Sequence, residues 1–208
     1  MVFVCPGKVL QLGTAIGNLD EGTIITLNES TSSVEFYVAK QDYESGLNGA
    51  GRVLVVRKDC YDNRAWDAGN VNAYATSDID AWFNGTYKGL LDPDVQEAMG
   101  TTKFYYTPGN GNNTVGTLER AVFALSATEL GRYARWFNVE GSALPIAYSN
   151  GSATKQWTRS PDTDVTSNAV CLLSGGGISS NGCGNSRGSR PAFTLPATFK
   201  LSDSQIVS

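Results

Sequence analysis

The residues of this chain with the greatest chemical potential are two cysteines and three arginines. Cys171 and Cys183 lie twelve positions apart, with Arg159, Arg187 and Arg190 near them in sequence. A thiol becomes a nucleophile only as the thiolate, which a neighbouring cation favours. The group therefore has the composition of a thiol-oxidising centre; the alternatives are small buried hydrophobes or a disulfide. Across Cys5, Cys60, Cys171 and Cys183 there is no CxxC pair and no zinc spacing. Reduced thiols are expected, and Cys171–Cys183 has a suitable loop if a disulfide forms.

Histidine is absent from all 208 residues. That removes the commonest general base, the commonest metal ligand and the Ser-His and Cys-His nucleophile systems. Aspartates cluster in Cys60–Asp67 and in Ser77–Asp80, but the pattern of a calcium loop is missing. Asp78 and Asp80 are two apart on an expected helix, so they do not face each other and read as first-turn acids complementing the helix dipole. Gly175–Gly177 and Gly182–Gly184 lack the following lysine of a phosphate loop. No catalytic residue, metal or cofactor is expected.

Elements that would position these groups can be read from pattern. Lys8–Leu12, Thr23–Leu27, Val34–Lys40 and Arg52–Lys58 read as short strands between Gly, Asn and Asp punctuation. Val53–Val56 is apolar on both faces, which predicts a central, covered strand. Ser77 caps a helix with Ile79, Trp82 and Phe83 on one face, and Asp92-Pro93 opens a second that Gly100 stops. Lys103–Tyr106 and Ala121–Leu125 read as strands, Pro108–Asn113 as a loop, and Ser126 with Glu129 as a capping box. Beyond Leu130 regular signals fade, although Trp136, Phe137, Leu144, Ile146 and Tyr148 must still be packed.

The stretch Asp162–Ser189 sits between two stiff frames, Trp157–Pro161 and Arg190–Phe193. Of its 28 residues, 19 are Gly, Ser, Asn, Thr or Asp. A free linker would have that composition, but the apolar run Val170–Leu173 interrupts it and a strand follows it. Displayed loops with strand anchors fit better. Arg159 then pairs inside the domain and Trp157 lies in the core; together with Pro161, Arg190, Pro191 and Phe193 they form a scaffold frame.

The composition bounds the rest. The chain suits one sizeable domain, with residues 1–33 as N-terminal strands packed on it and residues 34–208 as the ligand-binding domain. The net charge is -4 and no basic cluster occurs, which argues against nucleic-acid and polybasic membrane contacts. No apolar run approaches the roughly 18 residues of a membrane helix. The start lacks the basic and apolar regions of a signal peptide. The fold class is α+β, with short antiparallel strands, two helices and a long irregular C-terminal half.

Several motifs in order carry a resemblance: Tyr43, Arg52–Asp59, Trp66, Tyr74, Ser77–Asn84, Leu91-Asp92, Val122–Ser126 with Glu129, Glu140-Gly141, and the two frames. They resemble a domain family common in gut bacteria and their phages. That family is similar to a distant branch of the C-type-lectin-like fold, which includes formylglycine-generating enzymes and the variable proteins of diversity-generating retroelements. The enzymes use a closely spaced cysteine pair, which Cys171 and Cys183 do not match. Calcium-dependent lectins carry Glu-Pro-Asn or Gln-Pro-Asp with Trp-Asn-Asp, and none occurs here.

The retroelement proteins fit better. Randomised Asn-type codons cannot yield Glu, Lys, Gln, Met or Trp, and Asp162–Ser189 contains none of them. The resemblance implies a non-enzymatic binding protein of a phage or prophage, carried in the virion or held in the bacterial cytoplasm before assembly. Its partner would be a host-surface protein or glycan, without membrane insertion, and it would act as a homo-oligomer or as part of a virion. The contact residues expected are Asp164, Thr166, Asn168, Cys171, Leu173, Ser179, Asn181, Gly184, Asn185 and Arg187. The alternatives are a structural virion module, such as a fibre or decoration, and an oxidase of the formylglycine-generating kind.

Overall fold

A computed structural model describes residues 13–131 and 145–207. The expected strand Lys8–Leu12, together with Cys5, Trp136, Phe137, Leu144 and the Glu140-Gly141 pair, lies outside the described residues.

The chain is α+β. A six-stranded sheet runs, by neighbouring strands, Ile206–Val207, Ile24–Glu29, Ser32–Lys40, Arg52–Arg57, Ala192–Pro196 and Val122–Phe123, with every pairing antiparallel. Its central strand is Arg52–Arg57, and Val53 to Val56 are all fully buried. The reason is strand periodicity: successive side chains leave opposite faces. Phe36, Val38, Val53, Val55, Phe193 and Leu195 enter one core cluster. Tyr37, Ala39, Leu54, Val56 and Ala192 enter a second one on the other face. Phe36 and Phe193 meet edge-to-face at 5.7 Å, and burial of such a ring contributes about 2 kcal/mol.

The strand Ile24–Glu29 is an inner strand of this sheet, so the described part of residues 1–33 is built into the core. On the first face lie the helices Asp78–Trp82 and Pro93–Met99. Ser77 caps the former, its Oγ accepting from Asp80 N at 3.3 Å, and Ile79 and Phe83 are buried. Pro93 opens the latter and Gly100 ends it, with Val95 and Met99 inside. A four-residue helix, Ser45–Asn48, is additional to the two expected.

The C-terminal half corrects an expectation: its described residues are not long and irregular. A second sheet of five strands runs Ile178–Gly182, Asn168–Leu172, Gln156–Pro161, Arg187–Ser189 and Asp62–Arg64. Only Gln156–Pro161 against Arg187–Ser189 is parallel. Strands rich in Ser, Gly and Asn carry no apolar alternation, so their pairing is invisible in the pattern. A further hairpin, Ala147–Ser149 with Ser152–Thr154, holds Tyr148. Ala121–Leu125 yields only the two-residue strand Val122–Phe123, while Gly116–Arg120 pairs with Thr102–Tyr106.

Candidate functional site

The frame is a set of buried polar locks. Arg159 is 2% exposed and pairs with Glu129 in two parallel bonds of 2.6 and 2.7 Å. It also donates to the carbonyls of Ala124 at 3.0 Å and Tyr105 at 2.9 Å, and its guanidinium lies 4.5 Å from the Phe104 ring. Burial alone would weaken its charge, but the Glu129 carboxylate outweighs burial and holds its pKa above the ordinary arginine value. Glu129 also accepts from Tyr43 Oη at 2.8 Å and from Ser126 N at 2.6 Å. The expected capping box is formed, since Glu129 N donates to Ser126 Oγ at 3.1 Å, but it closes a turn rather than a helix.

Two tryptophans lock the second sheet crosswise. Trp157 Nε1 donates to Arg64 O and Trp66 Nε1 to Thr158 O, each at 2.9 Å. Pro161 is buried and opposite Ala169, beyond a register shift where Thr158 Oγ1 accepts from Ser160 N at 3.2 Å. Arg190 donates to Arg57 O at 2.6 Å, and burial pulls its pKa down to about 10. Pro191 and Phe193 then carry the chain from the second sheet into the first. All six expected frame residues are buried.

Between the frames the backbone is tied down at every turn. Asp162 Oδ1 accepts from the amides of Asp164 and Val165, both at 2.9 Å, an Asx-type turn. Buried Asn72 fixes this turn from outside. Its Nδ2 donates to the carbonyls of Asp162, Val165 and Asn168 at 2.9, 3.1 and 2.8 Å, and its Oδ1 accepts from Asn110 N at 2.6 Å. Gly109 allows that approach: its φ is +79°, and a Cβ there would stand 1.9 Å from Asn72 O. Asn70 Oδ1 takes Gly184 N at 2.8 Å, and Cys183 N donates to Ser167 O at 2.9 Å.

These bonds sort the expected contact residues into three places. Asp164, Thr166 and Asn168 meet Gly184 and Asn185 at one end of the sheet; all are exposed except half-buried Asn168. Ser179, Asn181 and Arg187 lie along one face. Arg187 Nη2 donates to Asn181 Oδ1 at 2.6 Å, and Asn181 Nδ2 to Cys171 Sγ at 3.2 Å. Leu173 is at the opposite end, in the turn closed by Leu173 N to Gly177 O at 2.6 Å, and it packs on the core. Cys171 requires a correction. It is fully buried in the first core cluster, because its place opposite Trp157 in the register turns its side chain inward. Asn70, Asn72 and Lys155 were not expected here; isolated polar residues outside the stretch give no local signal.

Cys60, Cys171 and Cys183 are free and buried. Burial pushes Cys60 up to about 11 and Cys183 to about 12, and raises Cys171 despite the nearby Arg187 and Lys155 charges. In a Cys5→Ser variant at pH 8, thiol labelling is expected only after unfolding; fast labelling of native Cys171 would reinstate thiol chemistry. The raised values also fix a sign. Their stabilising effect is complete below the ordinary thiol value of 9.0 and is lost as pH climbs through 11 to 12.

The aspartates are held by other partners. Asp80 pairs with Arg120 at 2.7 Å, Asp78 accepts from Ala68 N at 2.8 Å, and Asp67 from Val71 N at 3.1 Å. Among the described residues no three His, Cys, Asp or Glu side chains converge. No helix among them is long and apolar enough to cross a membrane.

Three cavities border the region. One of about 430 Å³ opens over Arg159 and Glu129 between Tyr105, Tyr106 and Glu44. All five N–H groups of Arg159 already have acceptors, so this floor offers a ligand no free guanidinium donor. A smaller one of about 180 Å³ lies between Asp162, Asp164, Val170 and Ser180. The third, of about 430 Å³, is lined by Asn63, Thr154, Lys155, Ser186 and Arg187. No curated protein and no solved structure matches the chain. The family model described as Domain of unknown function (DUF6273) matches residues 50–197, from just before the strand Arg52–Arg57 to the end of the second frame's strand, and the chain belongs to that family.

Proposed function

We propose that the chain is a non-enzymatic binding domain of C-type-lectin-like type, whose contact surface is formed by the turns Thr163–Ser167 and Gly184–Ser186 with the adjoining face of Asn181 and Arg187. Its partner is a macromolecular surface, a protein or glycan on a host cell, and the domain serves a phage or prophage in attachment. One observation carries this reading: at these turns the backbone is held by hydrogen bonds, to buried Asn72 in the first and to Asn70 and Gly182 in the second, while side chains at their tips are not. Thr166 O accepts from Asn72 N and Asn185 N donates to Gly182 O, both at 2.9 Å. The Thr166 and Asn185 side chains make no hydrogen bond to a described residue. Side chains on such a base change contacts without changing the fold, and the ordering entropy is already met by the scaffold.

A library with positions 163–167 and 184–186 randomised, Gly184 excepted, tests it. Most members are expected to melt cooperatively within about 3 °C of the parent, as surface substitutions do. Selection against one defined protein or glycan target should enrich binders. A library that mostly fails to fold, or that yields no binders, would overturn the proposal.

A further inference from the structure

We propose that the cavity between Lys155 and Arg187 takes the anionic group of an acidic glycan, a carboxylate or sulfate, as the charged anchor of the binding surface; the inference rests on the reading of that surface given above. The chain carries a net charge of -4, so a local excess of cations does not follow from composition.

Three cations nevertheless stand side by side, Arg64 and Arg187 on neighbouring strands and Lys155 just before the next, Gln156–Pro161. Arg187 is directly opposite Arg64, and Gln156 is beside Gly188, which sets Lys155 beside Arg187. Like charges placed directly across a sheet repel and destabilise it. Arg64 is relieved by its ion pair with Asp62, and it lies over the Trp82 ring at 3.2 Å. Lys155 and Arg187 are not relieved: neither forms a salt bridge with a described residue.

The engaged donors of Arg187 meet only neutral partners: Ser186 O and Asn181 Oδ1, both at 2.6 Å, and the Cys171 thiol. Its buried Nε meets no acceptor. A guanidinium normally finds a carboxylate or phosphate when it is partly buried, and Arg187 is left waiting for one. Asn181 holds the head in place, itself anchored on Cys171, and is therefore a positioning residue.

The remaining lining points to the ligand's other groups. Asn63, Thr154 and Ser186 add an amide and two hydroxyls, and no apolar residue lines the cavity. The core of a protein–protein contact is instead rich in aromatic and apolar side chains. A hydroxylated, charged ligand suits this lining better than an acidic peptide does.

The test uses the full chain and a panel of uronic-acid, sialic-acid and sulfated oligosaccharides. Each is titrated calorimetrically beside a neutral counterpart (a methyl ester or the desulfated sugar), and an Asp/Glu-rich peptide of equal charge is included. At least one acidic oligosaccharide is expected to bind at least tenfold more tightly than its neutral form, and more weakly as salt is raised. Arg187→Gln and Lys155→Gln should each weaken binding about tenfold, with Asn181→Ala intermediate. Lys155 is exposed, so its variant tests the site even if the arginine variant folds poorly.

The inference is overturned if no acidic oligosaccharide outbinds its neutral form, or if binding survives both substitutions. Preference for the peptide would overturn the glycan assignment. Failure of the display reading looks different: the randomised turns would not fold, whatever the panel does.

Discussion

Glu129→Ala is expected to cost about 4 kcal/mol of stability, a fall of about 10 °C in melting temperature. The substitution removes one member of an ion pair whose side chains are only 2% and 3% exposed. Pairing in such a place is no large net gain, because both ions have lost their water. Removing one partner leaves the other buried and uncompensated, and that is the larger effect. Here Arg159 would keep only the carbonyls of Ala124 and Tyr105, while Tyr43 Oη and Ser126 N would lose the acceptor they share. Arg159→Met should cost a similar amount. The double variant Arg159→Met/Glu129→Ala should cost clearly less than the sum, since no lone charge remains. Thermal and urea unfolding of the four proteins would measure this. A single-variant loss below about 1 kcal/mol would mean the pair does not hold the frame.

Asn72→Ala is expected to cost about 3 kcal/mol and to loosen two surface segments together. One amide group serves three carbonyls of the 162–168 turn and the backbone of Asn110. Without it, the Asp162 carbonyl loses this donor, those of Val165 and Asn168 keep only a backbone one, and the loop Pro108–Asn113 loses its contact with the turn, apart from Asn113 Nδ2 to Thr163 O at 3.0 Å. Faster hydrogen exchange is expected in residues 162–168 and 108–113, with the strand Arg52–Arg57 unaffected until global unfolding. Asn72→Asp is a stringent control of equal shape. A carboxylate facing three carbonyls repels them, so it should be at least as damaging as alanine. If exchange in 162–168 is unchanged in both variants, the Asn72 side chain does not position the surface, and the turn is held by the Asp162 side chain and the backbone bonds of Thr166 and Ser167.

Much of the first sheet and both longer helices were legible because their signals are local. Val53–Val56 announces a strand covered on both faces, and that is where it lies. Ser77 and Asp92-Pro93 mark helix starts through the chemistry of a few adjacent residues. The frames were legible for a related reason: tryptophan, arginine and proline in so tight a spacing restrict geometry wherever they occur. Trp157 in the core and Arg159 paired within the domain follow from that restriction.

The stretch between the frames was legible only as composition. Nineteen small or polar residues out of 28 say that the segment makes turns and has little apolar area, but not that Ile178–Gly182 and Asn168–Leu172 pair as strands. Strand pairing is a contact between distant residues, and a Ser- and Gly-rich strand carries no period that would reveal it. The same holds for partners. Ser126 with Glu129 is visible as a cap three residues wide, yet the partner of Glu129 that matters most stands thirty residues on, at Arg159. Asn72 is mute in sequence because its acceptors lie about ninety residues away. Cys171 looked displayed and is buried, since a strand's register, set by Trp157 opposite it, decides which way a side chain points. Residue types thus established the absence of histidine chemistry, the strand-and-helix core and the frames. Folding alone established the surface, because hydrogen bonds between distant backbones choose which of its small residues face water.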